Sequence, residues 1–295
     1  MGLSPKEQME AVGYAVVPGV LERQEVAHLR RLGLDHFDGG GAVQGLGRYE
    51  GSLASLTSWV DTLVCHPGLV AAFRSVLGEG QLVFTGSADM HLNMFNIWHR
   101  DCAASGLHAW TGDFYRPGFE VCRAGIYLQA PGVDGQGLHV RPGSHKSGAA
   151  GLAADFVGTR AGDVLFIDSR LLHVGVLPDP AERLLRALGR WLGSPAPVIP
   201  AKDMLWRAKR RGTRLSMFVG YGLRNGGTEE FCRFDLRLRR LRSGADHCLS
   251  SPALLAALER AGVLSYETEL ASRFGDGVLR EFAATGSLPE ERIWQ

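Results

Sequence analysis

The middle of this chain is a succession of short runs rich in β-branched and aromatic residues, cut apart by Gly, Pro and Asp. The runs are Gln81–Thr85, Met90–Trp98, Ala124–Gln129, Gly137–Val140, Val164–Asp168, Leu171–Val176, Leu184–Leu192 and Leu215–Gly222. Short strands joined by Gly-rich turns predict a sandwich, barrel or jelly roll rather than a βαβ sheet. On either side the apolar spacing becomes helical. Pro5–Val12, Leu21–Leu34 and Val60–Leu77 (broken by Pro67, closed by Gly78) precede the strands, with a short strand at Tyr14–Val17. Thr228–Leu241, Pro252–Gly262 and Tyr266 to about Ala284 follow them. Gly39–Gly47 follows no strand, so it reads as a surface loop rather than a phosphate cradle. With no repeat or low-complexity linker, residues 1–295 are expected to form one domain with a strand-rich core at about 80–222.

Composition narrows the partners. Apolar residues at 45% and charged residues at 21% are ordinary globular usage, so disorder is not expected. A net charge of +1 provides no global field for nucleic acid or an anionic membrane. Five cysteines without a CxxC pair argue against a disulfide framework and a structural zinc site. No signal-peptide pattern opens the chain and no apolar run is long enough to span a bilayer, so a soluble cytoplasmic protein is expected.

Histidine and carboxylate positions suggest chemistry. In Trp98-His99-Arg100-Asp101, strand alternation would put His99 and Asp101 on one face. An HxD pair alone is more often structural, and a third ligand is needed. His173, at the end of Gly162–His173, is the best candidate. Two neutral imidazoles and one carboxylate leave one face of a metal open, which suits Fe(II) binding a cosubstrate and O₂ together.

These residues lie in an ordered series: Gly13-Tyr-Ala-Val-Val-Pro-Gly-Val-Leu21, Trp98–Asp101, Ile126-Tyr-Leu-Gln129, Gly137-Leu-His-Val-Arg-Pro-Gly-Ser-His145, Gly162-Asp163 and Leu172-His173. Their order and spacing resemble the phytanoyl-CoA dioxygenase family of Fe(II)/2-oxoglutarate oxygenases, over about Gly13 to Gly193. The resemblance implies a mainly β fold with flanking helices, the double-stranded β-helix or cupin-like jelly roll. It further implies Fe(II) on His99, Asp101 and His173, with 2-oxoglutarate chelating the iron and its distal carboxylate meeting an arginine ten or so residues past the second histidine. Arg183 fits that offset and Arg186 competes with it; on a strand they would face opposite sides, and the small residues on Arg183's face favour it slightly. Asn93, on the strand face of His99, is a further candidate contact to 2-oxoglutarate. The sequence departs from the family at Cys102, where a glutamine is frequent, and His145 is expected to hold a turn rather than a metal.

Residues Cys102–Glu120, carrying His108, Trp110, Phe114 and Tyr115, are expected to form a lid over the substrate. The arginines of Phe231–Arg242 are expected to form a solvated face, with an acyl carrier protein as a candidate partner. The expected reaction is hydroxylation or a related oxidation of a small molecule by O₂, in bacterial specialised metabolism. The alternatives are a non-catalytic jelly-roll binding protein and a cupin-like isomerase or hydrolase that uses another metal.

Overall fold

The computed structural model describes residues 2–40, 42–44, 46–51, 63–94, 97–102, 118–129, 136–146, 151–175, 177–209, 212–243, 249–274 and 277. Helix α1 (Pro5–Val12) starts where the sequence provides a capping box, Ser4 with Glu7, and stops at Gly13, whose φ of 85° suits glycine. Strand β1 (Tyr14–Val17) follows, then α2 (Arg23–Asp38), which begins later and runs longer than its apolar spacing alone indicated. The Gly39–Gly47 region is more than a loop. It contributes β2 (Ala42–Gln44) and joins β3 (Gly47–Glu50) in a hairpin at the sheet edge. The break at Pro67 falls as expected: Leu63–Val64 are π-helical, and Pro67 opens a new helix, α3 (Pro67–Leu77), where a missing N–H costs nothing.

The remaining strands are β4 (Leu82–Leu92), β5 (Val121–Tyr127), β6 (Gln136–Val140), β7 (Asp155–Thr159), β8 (Val164–Asp168), β9 (His173–Val174), β10 (Leu215–Leu223) and β11 (Leu264–Ser265). The large sheet runs β1-β8-β5-β10-β4-β3-β2, with β11 parallel to β4, and the small sheet runs β7-β6-β9. His99 extends the small sheet by a single antiparallel bridge to His173. In chain order, β4, His99, β5, β6, β7, β8, β9 and β10 visit the sheets large, small, large, small, small, large, small, large. That winding is the double-stranded β-helix.

Both faces of the large sheet are covered, so its strands read as nearly continuous apolar runs. One face (Ala124, Ile126, Phe166, Met217, Val219) packs on α1, α2 and α3 in the main core. The other carries Tyr127, Leu165, Ile167 and Phe218 against Leu138, Val140 and Val157 of the small sheet. Asp89, His91, Arg123 and Ser216 are in register with this inner face and make it unusually polar.

One segment takes the other secondary structure. Leu184–Leu192 is not a strand but part of α4 (Pro180–Trp191). Asp179 and Glu182 form a capping box and Pro180 occupies the first turn, signals that outweigh a short apolar run. A helix α5 (Ile199–Ala208) follows it, held by Trp206 Nε1 donating to Glu182 at 2.9 Å. Buried Lys202 donates to the carbonyls of Leu46 (2.8 Å) and Asn93 (3.2 Å), fastening this helical pair to the end of β4.

Helices α6 (Gly226–Ser243), α7 (Pro252–Arg260) and α8 (Tyr266–Phe274) end the described chain. The extension of the last helix toward Ala284 lies outside the described residues. Arg239 is not part of a solvated face: it is buried between Asp235 and Glu267. Among the described residues no helix is long and apolar enough to cross a membrane.

The β6–β7 pairing leaves no room at Gly137, where a Cβ would overlap the Val157 carbonyl at 1.8 Å. Gly137→Ala is therefore expected to destabilise the protein by about 1–3 kcal/mol, read as a lower urea midpoint at unchanged slope.

Candidate metal centre

Residues 97–102 run antiparallel to residues 169–173. His99 and His173 exchange both backbone hydrogen bonds at 3.0 Å, Arg100 Nε donates to the Arg170 carbonyl, and Cys102 N donates to the Ser169 carbonyl. The pairing puts the two imidazoles side by side, with centroids 4.4 Å apart. The turn at Asp101 brings its carboxylate to them: Oδ1 is 3.7 Å from His99 Nε2 and 3.8 Å from His173 Nε2. One donor atom from each residue lies within 4.8 Å of the others, a separation a single metal ion can bridge. Convergence comes from one bridge and a turn rather than from a full strand through 98–101.

The rings are oriented for ligation. His99 Nδ1 donates to the Ile97 carbonyl at 2.7 Å and His173 Nδ1 to the Leu171 carbonyl at 2.9 Å. That fixes the proton on Nδ1 in both and leaves both Nε2 lone pairs facing Asp101. Burial, with His99 alongside, pushes the His173 imidazole down to about 4, so it is neutral at physiological pH. Burial alone would raise the Asp101 carboxyl, but Arg123, His173 and His99 bring it below its ordinary value, so it is ionised. Asp101 Oδ2 is buried with no hydrogen-bond partner among the described residues. A buried carboxylate with one oxygen unsatisfied, beside two oriented lone pairs, is a donor set suited to a divalent cation.

Ser144 explains the Pro142-Gly-Ser-His145 motif. Its hydroxyl accepts from Leu172 N at 2.8 Å and steadies the strand that carries His173. His145, buried against Gly13, sits in that turn and not among the three donors. Cys102 points into a cluster with Phe119, Val121, Phe231 and Phe234, and burial pushes its thiol up to about 12. It is packing, not a substitute for a polar contact.

The arginines fall differently from expectation. Arg183 is exposed on α4 and Arg186 is half-buried there, so strand alternation does not distinguish them. Another arginine, half-buried Arg214, lies just before β10, forty-one positions beyond His173 (173 to 214), with its guanidinium against Gly175, two residues past that histidine. The α4–α5 insertion creates that distance, while pairing of β10 with β4 and β5 brings the arginine back beside Gly175. Arg214 Nη2 donates to the Gly137 carbonyl at 2.7 Å, and the guanidinium lies over the Tyr127 ring at 5.2 Å. Among the described residues it has no carboxylate in ion-pair range. It lines a small cavity with His91, Met94, Leu138, Gly175, Ser216 and Phe218.

Asn93 does not share a strand face with His99, although its position suggested that it would. It ends β4 at φ 52°, off the extended geometry that would align it with His99. Its Oδ1 accepts from Arg214 N at 2.8 Å, and its N–H donates to the Arg214 carbonyl. The contact is to the backbone of the arginine. The signal for Arg214 in the sequence was faint: an arginine directly preceding the last apolar strand. Most of the expected lid, residues 103–117, lies outside the described residues.

No protein-family model matches the chain, and no curated protein sequence matches it. Solved structures do. EvdMO1 is 18% identical over 75% of this chain and 50% of its own, with a TM-score of 0.50. The non-haem α-ketoglutarate-dependent epimerase SnoN of nogalamycin biosynthesis is 19% identical over 73% and 80%, at TM-score 0.48. HygX from Streptomyces hygroscopicus, solved with nickel and 2-oxoglutarate, is 18% identical over 76% and 88%, at 0.49. At such identities the likeness is one of fold.

Because the folded protein holds His173 below its ordinary 6.5, its neutral ring contributes stability that is present above pH 6.5 and lost as pH falls toward about 4. Metal-free protein is expected to lose stability across that window in urea titrations. His173→Gln, which has no proton to gain, should show a shallower loss.

Proposed function

We infer that this protein is an Fe(II)- and 2-oxoglutarate-dependent oxygenase acting on a small molecule. The observation that carries this reading is the pairing of two features on the inner face: a His₂-carboxylate donor set with both Nε2 atoms free, and the half-buried Arg214 guanidinium, which has no carboxylate partner among the described residues. A structural metal site would need the first and not the second. A dianionic cosubstrate that chelates the metal at one end and needs a cation at the other uses both.

His99, Asp101 and His173 would hold the iron, and Arg214 with Ser216 would receive the distal carboxylate, in place of Arg183 or Arg186. When bound, Fe(II) and 2-oxoglutarate supply O₂-dependent oxidation, with the cosubstrate leaving as succinate and CO₂. The protein's contribution is positional. The His99–His173 ladder holds two ligands rigidly, Asn93 fixes the backbone that presents Arg214, and Gly175 leaves room for its guanidinium, since a Cβ there would stand 2.8 Å from Nη1. SnoN belongs to nogalamycin biosynthesis, HygX has also been solved with hygromycin B bound, and the similar SnoK is a carbocyclase, so a specialised metabolite is the substrate class to test first, with epimerisation and ring closure among the outcomes to assay beside hydroxylation. The aromatic residues of 103–117 remain the proposed cover for that substrate.

Anaerobically purified protein is expected to bind about one Fe(II) per chain, and Ala at His99, Asp101 or His173 should abolish most binding. A variant that keeps wild-type iron content identifies a residue that is not a ligand. Arg214→Leu should leave iron in place and weaken 2-oxoglutarate on the order of 100-fold, read from the loss of the Fe(II)–2-oxoglutarate charge-transfer absorption. Arg183→Leu and Arg186→Leu should not. Succinate release matched to substrate oxidation separates this function from an isomerase, a hydrolase or a binding protein.

A further inference from the structure

Beside the three donors lies a second buried carboxylate that the proposed chemistry does not use. Asp89 on β4 and Asp101 share one guanidinium, that of Arg123 on β5, and all three side chains are nearly buried. The sharing is unequal. Arg123 Nη2 is 2.5 Å from Asp89 Oδ2, whereas Nη1 is 3.4 Å from Asp101 Oδ1. His91 Nε2 stands 3.1 Å from the other Asp89 oxygen, and the Phe218 ring lies under the guanidinium at 5.3 Å. Arg123 is thus steered toward Asp89, and Asp101 keeps Oδ2 without a partner among the described residues.

A guanidinium next to a metal-binding carboxylate is a competitor. Unrestrained, it closes on both oxygens in a bidentate pair, the strongest arrangement open to it. Its positive charge also opposes a cation in the same low-dielectric space. A second carboxylate removes both problems by taking the guanidinium as its own counter-ion. We propose that Asp89 is a positioning residue that holds Arg123 away from Asp101, keeping the Asp101 carboxylate open to a divalent metal. This rests on the reading of His99, Asp101 and His173 as metal ligands.

The test uses the full-length metal-free protein and Co(II), whose visible absorption reports both affinity and coordination geometry. Asp89→Asn is expected to weaken Co(II) binding about tenfold or more, because Arg123 is handed to Asp101. Adding Arg123→Gln to it should restore affinity to within about threefold of wild type, since the competitor is gone. Arg123→Gln alone should bind Co(II) at least as tightly as wild type. A merely structural role gives the opposite pattern, with the double variant no better than Asp89→Asn. Asp89→Asn binding as wild type does, or a double variant that is not rescued, overturns the proposal. If Asp89→Asn does not fold by near-ultraviolet circular dichroism, Arg123→Gln decides alone, and tenfold weaker binding overturns the proposal. Wild-type protein that takes up no Co(II) sinks the metal reading itself and this inference with it.

Discussion

The reciprocal backbone hydrogen bonds between His99 and His173 are the constraint on which the candidate site depends. In an antiparallel hydrogen-bonded pair, opposite residues carry their side chains on the same face, so one bridge decides that both rings point the same way. Everything around it reinforces that choice. Ser144 ties the chain before His173, Arg100 and Cys102 tie the chain after His99, and each ring is pinned by a carbonyl two residues upstream. The arrangement of the two candidate histidine donors therefore belongs to the backbone ladder of the small sheet.

The inner face also balances its charges. Asp89 and Asp101 contribute two negative charges, Arg123 and Arg214 two positive ones, and His173 is held neutral. Burial disfavours every one of these charges, and mutual attraction offsets the cost only in matched sets. A divalent cation arriving with a dianion preserves the balance; either alone disturbs it. The inner face of this jelly roll thus accommodates a polar cluster that an all-apolar sandwich would not tolerate.

Much of this was legible in the sequence because it depended on local pattern. The candidate donors His99, Asp101 and His173, which the structure brings within 4.8 Å of one another, were picked out as a motif plus one histidine after an apolar run, and the capped helices and most strands followed from spacing. Arg214 was not singled out, because its place beside Gly175 is a fact of sheet pairing: a β10 strand lying between β4 and β5 leaves no trace at a fixed offset. Leu184–Leu192 misled for a related reason. Its apolar run fits either period, and the Asp179–Glu182 capping box decides for the helix. Asp89 and Arg123 escaped because a buried ion pair across strands looks, residue by residue, like two ordinary polar positions.

The helical pair α4–α5 sits between the strand that bears His173 and the one that Arg214 precedes, yet bears on neither histidine. Among the described residues it connects to Arg214 through Lys202, which holds the carbonyl of Asn93, and Asn93 in turn holds the Arg214 backbone. The scaffold is therefore modular at this point. The length and surface of the excursion are free to diverge among related chains, provided that each keeps one anchor onto the end of β4. Alignments that score by conserved spacing will misplace the arginine in such chains, whereas strand order will find it.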